Sequence, residues 1–228
     1  MKSADSGREA VLSKIRKALD VPGVKRQREA VAAQRIGSPP PPLVPERAKR
    51  SKDELRGLFR GFLEGQSATV IEVASATEVP AAVARYLRGA NLPLRMRVGD
   101  DAYLAALPWQ NEPALERLKG RATGDDEVGL SHAASAVAET GTLVLASGSD
   151  NPVTLAFLPE THIVVVEDKD LVGGYEGAWE KVRALFGKRG MPRTVNFISG
   201  PSRTADIGGQ LVMGAHGPRR LCVILVRG

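Results

Sequence analysis

The 228-residue sequence has a single cysteine, Cys222. One thiol cannot close a disulfide within the chain, nor can it supply the four thiolates that usually hold an iron–sulfur cluster. No cofactor is expected in this chain, and any redox cluster serving the same pathway is expected on a partner. No apolar run reaches the roughly 18 residues needed to cross a bilayer, and the polar start MKSADSGREA lacks the apolar stretch of a secretory signal. The expected location is cytoplasmic. Nucleotide fingerprints are also missing: no G-x-G-x-x-G follows a strand-like run and no G-x-x-x-x-G-K-[ST] occurs. His132, His162 and His216 are far apart and no helix pairs two of them, so no metal site is expected.

Hydrophobic residues make up 43% and charged residues 25%, which excludes wholesale disorder and fits a globular protein. The net charge of +6 would suggest nucleic acid if it were spread over a folded face. It is not: residues 1–50 hold 12 Lys or Arg against 5 Asp or Glu, whereas residues 51–228 hold 20 against 21. The chain therefore divides into a basic N-terminal segment, 1–50, and a near-neutral domain, 51–228, with no nucleic-acid partner expected. In the basic segment Val11, Leu12, Ile15 and Leu19 recur at helical spacing. The pattern fades after Pro22 and Gly23, and Pro39–Pro42 read as a stiff extended tether. Such a helix could dock an acidic partner or stand as a solvated arm.

The domain opens with a capping box, Ser51 and Glu54, ahead of the apolar face Leu55, Leu58, Phe59, Phe62 and Leu63. Strand-like and helix-like runs then alternate. Ala68–Ala74 reads as a strand, followed by a helix from an N-cap at Thr77 to Gly89. Leu94–Val98 reads as an exposed strand, and Tyr103–Leu107 as a short helix. Ala134–Ala138 and Thr142–Ala146 read as strands joined by a tight turn, Glu139-Thr140-Gly141. Ile163–Val166 reads as a strand covered on both faces. The remainder reads as a helix marked by Tyr175, Trp179, Val182 and Phe186, a strand Thr194–Ile198, a short helix Thr204–Leu211 and a buried strand Leu221–Val226. Strands separated by helices predict an α/β fold with a largely parallel sheet, flanking helices and one antiparallel excursion at Glu139.

Two loops gather small polar residues at strand ends, where open α/β sheets hold ligands. The first contains Glu139, Thr140, Gly141 and Thr142. The second contains Ser199, Gly200, Ser202, Arg203, Thr204 and Asp206, and leads into the predicted helix. Free amides at a helix start, the hydroxyls and the guanidinium would suit a carboxylate or phosphate. The plain structural reading makes Ser202 or Thr204 a cap and Asp206 a partner of Arg203 or of the helix dipole. Glu139 could act as a base or nucleophile, or simply hold its turn. His216, in the glycine-framed turn Gly214–Pro218, could act as an acid or base, or be solvated.

The runs Ala138–Leu145, Leu158–Ile163, Ile198–Ile207 and Gly214–Pro218 together resemble the LUD domain of the lactate-utilisation protein C (LutC/YkgG) family, over about residues 128–228. The resemblance implies a fold similar to the NagB/RpiA/CoA-transferase group. It also implies a role in oxidising L-lactate to pyruvate as one subunit beside others, including an iron–sulfur protein. Gly208 and Gly209 depart from the family pattern, which usually has an acidic residue after Ile207. Three functions follow as expectations: a subunit binding a small carboxylate or other anion, a non-catalytic assembly or regulatory protein of that system, and an acyl- or CoA-transferase-like enzyme using Glu139.

Overall fold

The computed structural model describes residues 4–19, 24–38, 41, 43–187, 190–207 and 210–228, in two compact units, Met1–Leu43 and Val44–Gly228. The first unit holds α1 (Ala4–Leu19) and α2 (Val24–Gly37). The second helix corrects the sequence reading, which ended regular structure at Pro22. Its residues, VKRQREAVAAQRIG, carry little apolar period, yet Ala, Gln, Arg and Glu favour helix without one. Pro22, Gly23, Pro39, Pro40 and Pro42 lie outside the described residues.

In the second unit a 3-10 turn, Glu46–Ala48, precedes α3 (Lys52–Gly65). The capping box at its start is complete: the Glu54 amide donates to Ser51 Oγ and the Ser51 amide to Glu54 Oε2. β1 (Thr69–Val73) leads to α4 (Val79–Gly89). Thr77 does not cap α4; it lies in a 3-10 turn, with its hydroxyl 2.7 Å from that of Ser75. The helix instead begins with Pro80 in its first turn, where the missing amide hydrogen has no helical partner to lose. β2 (Arg95–Val98), α5 (Ala102–Ala106), β3 (Glu116–Lys119) and β4 (Val128–His132) follow. Next come β5 (Ser135–Val137), β6 (Thr142–Ala146), β7 (Thr161–Glu167), β8 (Leu171–Val172) and α6 (Tyr175–Phe186). β9 (Val195–Ile198), β10 (Arg203–Ile207), β11 (Gln210–Met213) and β12 (Arg220–Val226) complete the unit.

Six strands form an all-parallel sheet in the order β1-β12-β7-β4-β2-β3. Two of its central strands, β7 and β12, carry the continuous apolar runs Ile163–Val166 and Leu221–Val226 because both faces are covered. Cys222, Ile224 and Val226 of β12, with Ile163 and Val165 of β7, face a core shared with α4. Leu221, Val223 and Leu225, with Val164 and Val166, face a second core shared with Phe59 and Leu63 of α3. The two-residue strand period thus feeds both cores from one run.

A second sheet, ordered β8-β5-β6-β9, pairs β5 with β6 and β6 with β9 in antiparallel fashion. Ala178 and Val182 of α6 cover one face over Val137 and Val144. Ala136, Leu143 and Leu145 turn the other face toward the α3 core. The helix expected at Thr204–Leu211 is absent; β10 and β11 form an antiparallel hairpin there. Gly208 and Gly209, between the strands, lie outside the described residues. A Gly-Gly pair between short β-prone runs is itself a hairpin signal.

Candidate functional site

The turn between β5 and β6 is a 3-10 turn, Ala138–Thr140, closed by Gly141 in the left-handed region at φ 61°. A Cβ at Gly141 would lie 2.7 Å from Cβ of Phe62, so backbone conformation and packing both require glycine. Glu139 is 5% exposed. Its amide donates to the Gly173 carbonyl at 3.0 Å, and its Oε2 accepts from Arg47 Nε at 3.4 Å. Its Oε1 lies against Gly174, the residue at the N-cap of α6. The carboxylate thus has two electropositive neighbours, a guanidinium and a helix start. It is enclosed by Arg47, Ala48 and the Gly173–Gly174 backbone rather than standing open.

Beside it lies a cluster of four hydroxyls. The register Leu143↔Ile198 between β6 and β9 brings the next residues, Thr142 and Ser199, face to face, with Thr142 Oγ1 2.6 Å from Ser199 Oγ. Thr142 Oγ1 is also 3.1 Å from the Tyr175 hydroxyl and 2.8 Å from Thr140 Oγ1. Thr140 Oγ1 in turn donates to Tyr175 at 3.1 Å. Tyr175 gives no functional signal in the sequence, since at helical spacing it reads as core.

Both sequence loops rest on the last turn of α3. Phe62 underlies Gly141, while Gln66 underlies Gly200 and its Oε1 accepts from Arg203 Nη2. Phe62 and Gln66 are four residues apart and share one helix face, which sets the loops side by side. Arg203 is otherwise exposed. The amides of a helix start are not available here, because Arg203 and Thr204 begin β10 instead. Ser202 faces another way: its amide donates to the Pro218 carbonyl at 2.8 Å, and its Oγ accepts from the His216 amide at 3.2 Å. His216 is exposed, in a cleft of about 480 Å³ with Phe157, Glu160 and Arg219. Thr204 stands opposite Val212, and the side chain of Asp206 lies outside the described residues. The structure therefore joins Glu139, Thr140, Gly141, Thr142 and Ser199, adjoins Gly200 and Arg203 through Gln66, and sets Ser202 with His216.

Sequence reasoning missed a third region, at the C-terminal ends of the parallel strands. Here His132 Nδ1 lies 3.4 Å from Asp101 Oδ2, and its ring stacks on Tyr103 at 4.4 Å between centroids. Burial works to raise the Asp101 carboxyl, but His132 and the amides of Leu104 and Tyr103 outweigh it and hold it below the usual carboxylate value. Burial, with the charges of Glu167, Asp101 and Asp170, pushes the Tyr103 hydroxyl up to about 12. Asp101 and His132, with Glu167 and Asp170, border a crevice of about 400 Å³. The loop 147–153 separates it from a second, of about 630 Å³, lined by Arg121, Arg193, Ser147 and Thr194. Spacings of about 30 residues gave no sequence signal for any of this.

The family model of the LUD domain matches residues 50–226. Lactate utilization protein C of Shouchella clausii is 34% identical over 118 residues, covering 52% of this chain and 51% of that protein. Lactate utilization protein C of Halalkalibacterium halodurans is 39% identical over 113 residues, 49% and 48% of the two chains. The chain thus spans about half the length of these curated relatives. A crystal structure of a DUF162 family protein from Deinococcus radiodurans matches with a TM-score of 0.59 at 26% identity, covering 78% of this chain and 99% of that one.

Proposed function

The chain belongs to the LUD domain family, and on that premise we propose that it is a subunit of an L-lactate utilisation system that holds a small carboxylate beside the hydroxyls of Thr140, Thr142 and Ser199. Relatives named for lactate utilization support the pathway. The observation that carries the site is the 2.6 Å approach of Thr142 and Ser199, which draws two loops 57 residues apart in sequence to one spot beside α3. Arg203, held by Gln66 at the edge of that spot, supplies the counter-charge. Electrons from lactate would pass to a partner carrying iron–sulfur clusters. Cys222 does not serve, since burial within β12 pushes its thiol up to about 12.

Titration of the full chain with lactate and pyruvate, alone and with its partner subunits, tests the reading. Arg203→Ala is expected to weaken binding roughly 10- to 100-fold, the worth of one charge-assisted hydrogen bond. Absence of heat in both settings, with full activity of an Arg203→Ala assembly, ends it. If Arg121→Ala with Arg193→Ala removes the heat instead, the anion belongs to the larger crevice, where neither guanidinium has an ion-pair partner among the described residues.

An assembly role is the second reading, favoured by the exposure of Val11, Ile15 and Leu19 along the basic helix α1. The enclosure of Glu139 beneath Arg47 counts against acyl transfer.

A further inference from the structure

We propose that the crevice at the C-terminal ends of β2, β3 and β6 binds a phosphate monoester of a small polyol, with Arg121 and Arg193 holding the phosphate.

Topology brings donors from both sheets to one hollow. Asp100 and Arg121 follow the ends of β2 and β3 in the large sheet, while Ser147 follows β6 and Thr194 precedes β9 in the small one. The carboxyl ends of parallel strands are where open α/β sheets hold ligands. The loop 147–153 between these walls is pinned. The Asp100 amide donates to the Ser149 carbonyl at 3.0 Å, the Ser147 amide to the Thr194 carbonyl at 2.9 Å, and the buried Asn151 side chain to the Ala146 carbonyl at 3.2 Å. The crevice of about 630 Å³ is therefore preformed, at a size that suits a small metabolite.

Its lining is rich in donors that nothing in the fold uses. Among the described residues neither Arg121 nor Arg193 has an ion-pair or hydrogen-bond partner, whereas Arg97 of β2 is paired with Asp126 at 3.0 Å. The hydroxyls of Ser149 and Thr194 are likewise unbound among the described residues. Ser147 Oγ accepts from the Thr194 amide at 2.9 Å, which leaves its own proton to give. Against these five donor side chains stands one carboxylate, Asp100, and Lys119 already lies 3.4 Å from it. Lys188 and Arg189, which lie outside the described residues, bring no negative charge to offset the excess. The occupant must accept hydrogen bonds and be an anion.

Charge and oxygen count choose among anions. A monocarboxylate brings one charge and a pair of oxygens, which a single bidentate guanidinium already satisfies. A phosphate monoester carries about 1.5 to 2 negative charges near neutral pH and three terminal oxygens, enough for both guanidiniums and a hydroxyl. Asp100 is then left to accept from a hydroxyl on the organic part. This site does not rest on the hydroxyl cluster of Thr140, Thr142 and Ser199.

The test titrates the full chain by calorimetry with glycerol 3-phosphate, and with inorganic phosphate, glycerol, malonate and L-lactate as counterparts. Glycerol 3-phosphate is expected to bind, inorganic phosphate more weakly and glycerol not at all. Arg121→Ala and Arg193→Ala are each expected to weaken the ester about 10-fold, the worth of one charge-assisted contact, while Arg203→Ala leaves it unchanged. Both arginines are exposed, so neither change touches the core. Asp100→Ala is expected to remove the preference for the ester over inorganic phosphate. No binding of glycerol 3-phosphate overturns the proposal, as does binding unchanged in Arg121→Ala or Arg193→Ala, or lost in Arg203→Ala. Malonate binding as tightly as the ester overturns the phosphate class, and a preference kept in Asp100→Ala overturns the polyol. Lactate heat lost in Arg203→Ala but kept in Arg121→Ala and Arg193→Ala bears only on the hydroxyl site, so the two readings fail separately.

Discussion

At the scale of single residues, the most consequential protonation state is that of His162. Its side chain is wholly buried at the start of β7, with Nε2 2.9 Å from Ser131 Oγ, and burial pushes its value down to about 3. In the unfolded chain an imidazole titrates near 6.5, so between the two values the unfolded state binds a proton that the folded state refuses. The contribution is complete above about pH 6.5 and declines by up to about 1.4 kcal/mol per unit as pH falls toward 3. Urea unfolding at pH 7.5 and 5.0 is expected to show a loss of about 2 kcal/mol from this group, in a range where carboxylates stay ionised. His162→Gln, which keeps a partner for Ser131, should remove that slope. Equal slopes in both proteins would refute the assignment. This residue also shows why single side chains were hard to read in sequence. His162 lies within a strand, so its burial follows from neighbours on β4 and β12 rather than from its own context.

At the scale of elements, the reading succeeded where local pattern and tertiary environment agree. β7 and β12 are continuous apolar runs, and α3 carries both its cap and its apolar face. It failed where the environment overrides pattern. β4 reads Val-Gly-Leu-Ser-His, interrupted by glycine and two polar residues, yet Gly129 is needed where the Leu155 carbonyl would come within 2.6 Å of a Cβ. β8 has two residues and no pattern at all. The hairpin at Arg203 escapes local reading because Ile207 and Leu211 stand four residues apart, a spacing that a helix also gives. The candidate site was legible as two loops, but their meeting depends on the β6–β9 register, which no spacing encodes. The turn between β5 and β6 offers a test. Gly141→Ala adds a Cβ in the left-handed region and against Phe62, and is expected to cost about 3 kcal/mol in denaturant unfolding. Gly57→Ala, with open space around it inside α3, is expected to stabilise by up to about 1 kcal/mol. A neutral Gly141→Ala would mean that the turn rearranges freely.

At the scale of the molecule, the three hydrophobic clusters lie wholly within Val44–Gly228. A protein comprising residues 44–228 is therefore expected to fold cooperatively, with a melting temperature within about 5 °C of the full chain, a shift worth about 2 kcal/mol or less. The same truncation removes α1 and α2 and so separates ligand binding from assembly. Retained lactate heat with lost partner capture would assign docking to the basic helices. A truncated protein that fails to fold would show that the helices are part of the core instead. Among the described residues no helix is long and apolar enough to cross a membrane.

The place of β12 in the large sheet bears on biogenesis. Among the described residues β1 finds its one strand neighbour in β12, with Thr69 opposite Cys222, so a ribosome must deliver about 150 further residues before the first strand can be zipped in. Until then the nascent polypeptide carries an unpaired, apolar edge. Synthesis of this protein is thus exposed to chaperone capture and to early termination: a product stopped short of residue 220 would lack the strand that bridges β1 to β7.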